Sequence, residues 1–364
     1  MLYGLRTTNH EHKMHILNIM LGKGKGGLEQ AALDYHEALH MAGNNVTSIL
    51  HPHSALQPTF TAQSFPTQSL SQFSERDWLA ARRLRRIAKE AQADIAIAHG
   101  NRALGLTLKA LKGRVPVIAV AHNYNIKKRF PRADGIFTIT RDLLEEMVHL
   151  NIPREKLCHM PNMVRMPTAA ARTHFRDPPV IGSMGRFVDK KGFDIFLHAL
   201  KALKDQSVPF RALLGGDGIL TTQLQKQAQD FGLHNHLTFT GWVEDKQAFF
   251  DQLDIFVLPS QHEPFGIVLI EAMAQGLPCI TTDSEGPCEI ITHERNAIMV
   301  EKARPYQMAQ ALTEWLENPD AAIAAGKAAQ RTIDETYNIT IISARLQQAL
   351  QQVRALVPNA SPPI

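Results

Sequence analysis

The feature that most constrains the fold of this chain is a repeated alternation of short apolar segments with amphipathic ones. Residues 14–21 (MHILNIML) predict a buried parallel strand, a glycine-rich turn follows, and apolar residues then recur at helical spacing as far as Met41. Further strands are predicted at 44–50, 94–98, 115–121 and 135–140, and an amphipathic helix at 78–92. This alternation is typical of an open α/β sheet.

A second series of the same kind begins near residue 180. Its predicted strands lie at 180–185, 210–215, 237–241, 254–260, 278–282 and 297–300, with helices at 193–204, 221–231, 246–252 and after residue 265. Prolines cluster between 161 and 179 and mark a linker, and helical segments at 305–330 and 338–356 close the chain. We therefore predict two Rossmann-like domains, residues 1–165 and 172–337, followed by a helix and tail at 338–364.

The composition is that of an ordinary globular chain. Of 364 residues, 44% are hydrophobic and 20% are charged, which excludes a disordered or collagen-like chain. The cysteines, Cys158, Cys279 and Cys288, lack metal-ligand spacing and favour a reducing compartment. No segment approaches the roughly 18–20 apolar residues of a spanning helix, and the first residues lack an apolar signal core, so we expect a cytoplasmic protein.

The formal net charge of +4 is unevenly distributed. Residues 1–170 hold 22 Lys and Arg against 13 Asp and Glu, and the remainder has the opposite balance. The basic residues of the first half include Arg82, Arg83, Arg85, Arg86 and Lys89 on the helix at 78–92, and the run Lys127, Lys128 and Arg129. These charges suit peripheral contact with an anionic membrane, and they equally suit a solvated surface without a partner.

The segment 259–283 (PSQHEPFGIVLIEAMAQGLPCITTD) carries two carboxylates separated by seven residues, Glu263 and Glu271. Glu263 is predicted in a loop held by Pro264, and a helix that begins near Gly266 carries Glu271. The unpaired amides at that helix start can meet an anion or sugar hydroxyls. Because open α/β sheets bind ligands at the carboxyl ends of their strands, this segment is predicted to line a site.

This segment resembles the signature of glycosyltransferase family four, which places a Glu-x7-Glu pair after a strand ending in Pro-Ser and before a Glu-Ala-Met-Ala helix. The resemblance implies the GT-B fold, in which two Rossmann-like domains face a cleft and the last helix returns to the first domain. It also implies that Glu263 contacts donor-sugar hydroxyls and Glu271 the nucleotide ribose. The backbone implied to face the sugar and phosphates is that of Phe265, Gly266, Ile267 and Val268.

A second motif combines Gly185-Arg186 with Lys191-Gly192. A diphosphate leaving group needs positive charge as its bond to the sugar breaks, and Arg offers a fork to phosphate oxygens while Lys offers a point charge. The spacing matches the Gly-Arg…Lys-Gly element of the same family, which it resembles. We therefore assign Arg186 and Lys191 to the diphosphate and expect Lys190 to face solvent.

Other parts of the resemblance are looser. It implies that the turn Gly26-Gly27 approaches the donor phosphate when the cleft closes, although a plain strand-to-helix turn has the same pattern. It implies that His122 hydrogen-bonds a donor-sugar hydroxyl. It also places Gly216 near the nucleotide and Val243 in a turn whose backbone reads the base. Met163 stands where the family often has glycine in Pro-Asn-Gly-Val, so the hinge differs locally.

The resemblance implies transfer with retention of anomeric configuration. A double displacement needs an enzyme nucleophile, and nothing in the sequence identifies one, so we favour same-face attack in which the diphosphate oxygen takes the acceptor proton. We expect no metal and no cofactor beyond the nucleotide-diphosphate sugar, of which a UDP-sugar is favoured. The expected acceptor is a glycan or lipid-linked glycan such as lipopolysaccharide core, and no nucleic acid partner is expected.

Two other classes of protein are alternatives to a glycosyltransferase. A non-catalytic nucleotide-sugar-binding protein on the same fold would bind a donor without transfer, and the intact set of Arg, Lys and paired Glu argues against it. A nicotinamide-dependent oxidoreductase needs an acidic ribose ligand after the second strand. That strand leads instead to His51-Pro52-His53, which argues against this class.

Overall fold

The computed structural model describes residues 13–74, 77–126, 128–168 and 173–356. Its N-terminal domain contains a parallel seven-stranded sheet whose strands are β1 His15–Met20, β2 Asn45–Leu50, β3 Thr67–Ser69, β4 Ile95–His99, β5 Val117–Ala121, β6 Gly135–Thr138 and β7 Leu157–His159. Their order across the sheet is β3-β2-β1-β4-β5-β6-β7. The helices between them are α1 Gly27–Met41, α2 Gln57–Ala62, α3 Trp78–Glu90, α4 Gly100–Leu111 and α5 Arg141–His149.

The C-terminal domain contains a parallel six-stranded sheet. Its strands are β8 Val180–Met184, β9 Arg211–Gly215, β10 Leu237–Gly241, β11 Ile255–Leu258, β12 Cys279–Thr282 and β13 Ile298–Val300, in the order β10-β9-β8-β11-β12-β13. Its helices are α6 Phe193–Asp205, α7 Thr221–Asp230, α8 Lys246–Phe250, α9 Ile267–Ala274, α10 Pro287–Ile290, α11 Pro305–Glu317 and α12 Pro319–Thr336. The predicted α/β fold of two Rossmann-like domains is confirmed.

Each sheet reverses its strand order beside its first strand. β1 pairs with β2 on one side and β4 on the other, and β8 pairs with β9 and β11 in the same way. The helical connections to the strands on either side therefore run along opposite faces of the sheet. This arrangement leaves a crevice at the carboxyl ends of β1 and β8. The loops after β1 and β8 are the glycine turn and the Arg186 segment that the sequence analysis selected.

The C-terminal helical region differs from the prediction. A single helix over 305–330 was expected, and the structure contains two, α11 and α12, separated at Asn318. Asn318 has non-helical φ and ψ of −124° and 64°, and Pro319 begins α12. Proline cannot donate the backbone hydrogen bond of a helix interior but is well accommodated in the first turn, so it divides the segment here.

The last described helix, α13 Ile339–Leu356, packs on the N-terminal domain. Ile342, Leu346 and Leu350 are buried in one cluster with Ile16 and Leu39. This confirms the expected return of the C-terminal helix, while the predicted tail after 356 lies outside the described residues. The two interdomain connections run side by side, because Val164 accepts a backbone hydrogen bond from Ile339 and donates one to Tyr337 (2.9 Å each).

None of the helices in the described ranges combines the length and apolarity needed to cross a membrane. The cysteines are unpaired: Cys279 is buried, Cys158 half-buried and Cys288 exposed.

Candidate active site

A cleft of about 750 Å³ lies between the carboxyl ends of the two sheets and is lined by both domains. It brings together all of the residues that the sequence analysis placed at the site, which are Gly26, Gly27, His122, Arg186, Lys191, Gly216, Val243, Glu263, Phe265, Gly266, Ile267, Val268 and Glu271. Their individual roles toward a ligand stay predictions.

Lys191 and Glu263 form an ion pair although 71 residues separate them in the chain. Lys191 ends the turn before α6, and Glu263 lies in the loop after β11, with only 8% of its surface exposed. Ser260 donates its hydroxyl to the Glu263 carboxylate (3.3 Å), and the Glu263 amide donates to Glu285 (3.0 Å). Glu263, which is predicted to contact the donor sugar, and Lys191, which is predicted to contact the diphosphate, are therefore immediate neighbours.

Helix α9 begins directly beside this ion pair. Gly266, which caps it, has a φ of +99°, a left-handed conformation that favours glycine and lets the chain turn from the loop into the helix. The first-turn amides of α9, including those of Ile267 and Val268, have no intrahelical acceptor and carry partial positive charge. The helix start can therefore hold an anion, as the sequence analysis expected.

Glu271 lies one turn into α9 and has two differently placed carboxylate oxygens. Lys246 of α8 lies 2.5 Å from Oε1. Oε2 is enclosed and has no hydrogen-bond partner in the described part of the chain. An enclosed carboxylate oxygen is costly to leave unpaired, so Oε2 lacks the hydrogen bond that would compensate its burial.

The N-terminal glycine turn touches the C-terminal domain. Arg186 donates through Nη2 to the carbonyl oxygen of Lys25 (3.2 Å), and the Lys25 ammonium lies 2.8 Å from Glu244. A Cβ on Gly26 would lie 2.8 Å from Arg186 Nη2, and one on Gly27 would lie 3.5 Å from Ile267 Cδ1. A side chain at position 26 would therefore require the Arg186 guanidinium to move away from the turn.

Gly216 and Val243 line the same end of the cleft. Gly216 has a φ of +142°, and a Cβ there would lie 1.9 Å from the carbonyl oxygen of Gly185. Val243 follows β10 and packs against Gly215, where a Cβ would lie 2.5 Å from its Cγ2. The ends of β8, β9 and β10 are also joined through backbone, because the Gly185 amide donates to the carbonyl oxygen of Gly215 (3.0 Å) and the Gly216 amide donates to that of Gly241 (2.7 Å).

His122 follows β5, and its Nε2 lies 3.0 Å from Nδ1 of His99. Burial lowers the pKa of His122 to about 4 and the pKa of His99 well below its ordinary value. Both rings are therefore neutral near pH 7. The sequence analysis missed His99, although a histidine at the end of the apolar strand IAIAH was a signal that could have indicated it.

Asp34 of α1 is a second residue that the sequence analysis missed. Burial raises its pKa to about 7, and the negative charge of Glu271 contributes to the same shift, although a hydrogen bond from Gln30 (2.8 Å) opposes it. Within the described ranges, no three His, Cys, Asp or Glu side chains are grouped so that they could hold a metal ion.

Two Rossmann-like domains that face one cleft, with a helix returning from the end of the chain to the first domain, define the GT-B class of fold. Residues 25–167 match the family model described as glycosyltransferase family 4, and residues 168–332 match the model described as glycosyl transferases group 1. The two matches adjoin and together span both domains. The chain belongs to the group 1 glycosyltransferases of family four.

Relatives and solved structures agree with this assignment. The chain is 28% identical over 324 residues to the lipopolysaccharide core biosynthesis glycosyltransferase LpsD of Rhizobium meliloti, covering 84% of this chain and 89% of the relative. It is 40% identical over 125 residues to LpsE of the same organism, covering 34% and 36%. The crystal structure of Anabaena Alr3699/HepE in complex with UDP superposes with a TM-score of 0.79 at 18% identity, covering 93% and 100%, and shows the shared fold.

Proposed function

We propose that this protein transfers a hexosyl group, with retention of configuration, from a nucleotide-diphosphate sugar to a glycan or lipid-linked glycan acceptor. The single observation that carries the donor assignment is that Arg186, Lys191, Glu263, Glu271 and the start of α9 line one cleft, where cations and amides suit a diphosphate and carboxylates suit hydroxyls. A UDP-sugar is the favoured donor, supported by the UDP complex of the HepE structure. Lipopolysaccharide core is the favoured acceptor class, supported by the names of LpsD and LpsE.

The proposed reaction exchanges one bond at the anomeric carbon on a single face of the sugar. The bond from the anomeric carbon to the diphosphate oxygen breaks, and the bond to the acceptor oxygen forms. The acceptor proton passes to the departing diphosphate. Arg186, Lys191 and the first amides of α9 lie together in the cleft, where they would stabilise the charge that develops on the leaving group.

The alternative is a non-catalytic protein that binds a nucleotide sugar on the same fold. It shares the ribose and phosphate contacts but requires no acceptor site. The cleft extends past the donor residues to Leu56, Pro58 and Thr59 around α2, which leaves space for an acceptor on the N-terminal side. This extension favours the enzyme.

Isothermal calorimetry with UDP-, GDP- and ADP-sugars tests the donor assignment, with Glu271→Ala as the informative variant. We expect one nucleotide class to bind and Glu271→Ala to weaken it about 10- to 100-fold, the value of a hydrogen bond to a charged group. Glu317→Ala, an exposed carboxylate on α11, is the control. If none of the nucleotide sugars binds, the proposed function fails; if they bind but no glycan product or donor hydrolysis is found, the non-catalytic alternative is correct.

We also propose that transfer needs no metal ion. Arg186, Lys191 and the first amides of α9 would stabilise the charge on the leaving diphosphate, which is the task that a metal ion would otherwise perform. We expect transfer measured with excess EDTA to equal transfer measured with Mg²⁺ or Mn²⁺. A loss of activity in EDTA that added metal restores would contradict it.

We also propose that helix α3 holds the protein on the anionic cytoplasmic face of a membrane. Its buried face includes Leu84 and Ile87, and all five of its basic residues are exposed. The structure adds exposed apolar residues at the same helix: Phe73, Trp78 and Leu79 are 94%, 62% and 61% exposed. Trp78, Arg82 and Arg86 follow one another at four-residue spacing. The exposed indole and the two guanidinium groups therefore lie on the same outward face of the helix.

The second basic run supports this surface only in part. Lys128 is exposed, Lys127 lies outside the described residues, and Arg129 is half-buried, donating to the carbonyl oxygen of Asn101 (3.1 Å). Arg85 likewise donates to the carbonyl oxygen of Ala110 (3.1 Å). Arg82, Arg83, Arg86 and Lys89 are therefore the residues best placed to meet lipid headgroups, and Arg86 also lies 3.7 Å from Glu90.

Co-sedimentation with vesicles containing phosphatidylglycerol tests the membrane proposal. We expect binding that falls with salt and is lost in Trp78→Ala/Leu79→Ala and in Arg82→Gln/Arg83→Gln/Arg86→Gln. Tyr306→Ala, which removes an 80% exposed aromatic of the C-terminal domain, should bind like the unmodified protein. If all variants sediment equally, or if the unmodified protein does not sediment with the vesicles, the membrane proposal is wrong and the basic helix is a solvated surface.

A further inference from the structure

A row of buried polar side chains crosses the N-terminal sheet behind His122. Ser48 of β2, Asn18 of β1 and His99 at the end of β4 lie on consecutive strands, and His122 follows the next strand, β5. Ser48, Asn18 and His99 are at most 2% exposed. Buried polar groups in such a row are held by their hydrogen bonds, so the direction of each bond can be deduced.

The direction of the row is set at Asn18. Its Nδ2 lies 2.8 Å from the carbonyl oxygen of Ala32, which can only accept, so this atom is the amide nitrogen and Oδ1 faces the other way. Nδ2 also donates to Ser48 Oγ (3.1 Å). Oδ1 lies 2.7 Å from Nε2 of His99, and because Oδ1 can only accept, His99 Nε2 carries the proton.

The protonation of His122 follows from that of His99. Neutral His99 with a proton on Nε2 has a bare Nδ1, and this atom lies 3.0 Å from His122 Nε2. His122 must therefore donate through Nε2–H, which leaves its Nδ1 as an acceptor. Nδ1 of His122 has no hydrogen-bond partner among the residues of the described ranges and is not enclosed, and His122 lines the cleft. The acceptor atom is therefore available to a ligand.

We infer that Asn18 and His99 are positioning residues that hold His122 in its Nε2–H tautomer, so that Nδ1 accepts a hydrogen bond from a hydroxyl group of the donor sugar. The inference rests on the proposed function for the identity of the ligand. It assigns a preference for a sugar that presents a hydroxyl at that point over the deoxy analogue that lacks it, because Nδ1 would then have no donor. The low pKa of His122, caused by burial, disfavours protonation of Nδ1 in place of that hydrogen bond.

The tautomer can be measured on the full-length protein without any ligand. Long-range ¹H–¹⁵N correlation spectra of ¹⁵N-histidine-labelled protein distinguish protonated from bare ring nitrogens, and comparison with His122→Gln identifies the His122 signals. At pH 7 we expect Nε2 protonated and Nδ1 bare. A His122 ring protonated on Nδ1, or on both nitrogens, would overturn the inference whatever the protein binds.

Two substitutions at position 99 test whether His99 orients His122 through hydrogen bonds or only fills space in the core. His99→Gln offers one amide donor to Asn18 and one amide oxygen to His122 Nε2, whereas His99→Leu offers neither. We expect His99→Leu to give a mixture of His122 tautomers. Among the 2-, 3-, 4- and 6-deoxy analogues of the nucleotide sugar found to bind, we expect the unmodified protein to disfavour at least one, and His99→Leu to reduce that discrimination in kcat/KM about tenfold. His99→Gln should restore most of both readouts.

The outcomes distinguish this inference from the proposed function. If the unmodified protein shows the Nε2–H tautomer but binds none of the nucleotide sugars, the proposed function fails and the hydroxyl preference with it, while the positioning by Asn18 and His99 stands. If the sugars bind and both variants lower only the thermal midpoint, with tautomer and sugar preference unchanged, His99 is structural and the inference is wrong.

Discussion

At the scale of single residues, each carboxylate of the Glu-x7-Glu pair has one lysine partner from a different element of the same domain. Lys191 pairs with Glu263 and Lys246 pairs with Glu271. Glu263 is nearly enclosed, so its charge depends on Lys191 for compensation. Because Lys191 also lies beside the start of α9, the same ammonium can meet a departing phosphate.

Lys191→Ala is therefore expected to lower kcat about 10²- to 10³-fold, the usual loss for a group that stabilises transition-state charge. Steady-state glycosyl transfer or donor hydrolysis measures it. Lys327→Ala, which removes an exposed lysine of α12 that does not line the cleft, is the control; its kcat should be unchanged. Equal losses in the two variants would remove Lys191 from the leaving-group role.

Asp34 predicts a pH dependence of stability with a defined sign. Its folded-state pKa, about 7, is above the ordinary value of 3.8, so its contribution to stability is complete below pH 3.8 and is lost as the pH rises through 7. Asp34→Asn cannot ionise and keeps an oxygen for Gln30. We expect its melting temperature to exceed that of the unmodified protein by about 3 °C at pH 8.5 and by only about 1 °C at pH 5, because the loss of stability proceeds progressively between pH 3.8 and 7.

Differential scanning fluorimetry across pH 5 to 8.5 measures this difference. Glu335→Gln, on the exposed face of α12, serves as the control for removing a carboxylate elsewhere. A constant difference between Asp34→Asn and the unmodified protein at all pH values would contradict the assignment.

At the scale of elements, the start of α1 is shaped by the domain opposite it. The glycine turn leads into α1 with Gly26 as its cap and lies against Arg186. The sequence pattern of glycines predicted a phosphate-facing turn, but it could not distinguish that from an ordinary strand-to-helix turn. The distinction depends on Arg186, which is 160 positions away in the chain and reaches Gly26 only because both sheets point their carboxyl ends at one cleft.

Gly26→Ala should therefore displace Arg186 and lower kcat/KM about tenfold with little loss of stability, because the new Cβ would meet Nη2 at 2.8 Å. A factor of ten corresponds to about 1.4 kcal/mol of transition-state stabilisation. Gly24→Ala is the control, since its Cβ would make only an ordinary contact with Glu29 Oε1 at 3.6 Å. Steady-state kinetics with the donor measure kcat/KM for both variants. If kcat/KM falls equally in both, the turn has only a structural role.

At the scale of the whole molecule, the end of the chain completes the core of its beginning. Helix α13 follows the second crossing between the domains and covers α1 and the N-terminal sheet. The N-terminal domain is therefore assembled from two distant parts of the sequence. Its stability should depend on residues that lie beyond the C-terminal domain in the chain.

Leu346→Ala removes a fully buried side chain of α13 and should cost about 2–5 kcal/mol, since it combines lost burial with a cavity. Ile341→Ala removes a 37% exposed side chain of the same helix and should cost less than about 1 kcal/mol. Denaturant unfolding followed by fluorescence measures both. Similar costs for the two variants would mean that α13 is not part of the N-terminal core.

The sequence by itself determined the α/β class, the two-domain organisation and the donor motif. The fold class and the domain organisation depend on local periodicity. Glu263, Glu271, Arg186 and Lys191 could be found because their short spacings resemble the signature of a known family. Only the tertiary structure decided which of these side chains touch, that Glu271 keeps one oxygen unpartnered, and that His99 lies behind His122. Those contacts join residues from separate strands, so they depend on strand order, which no local pattern in the chain records.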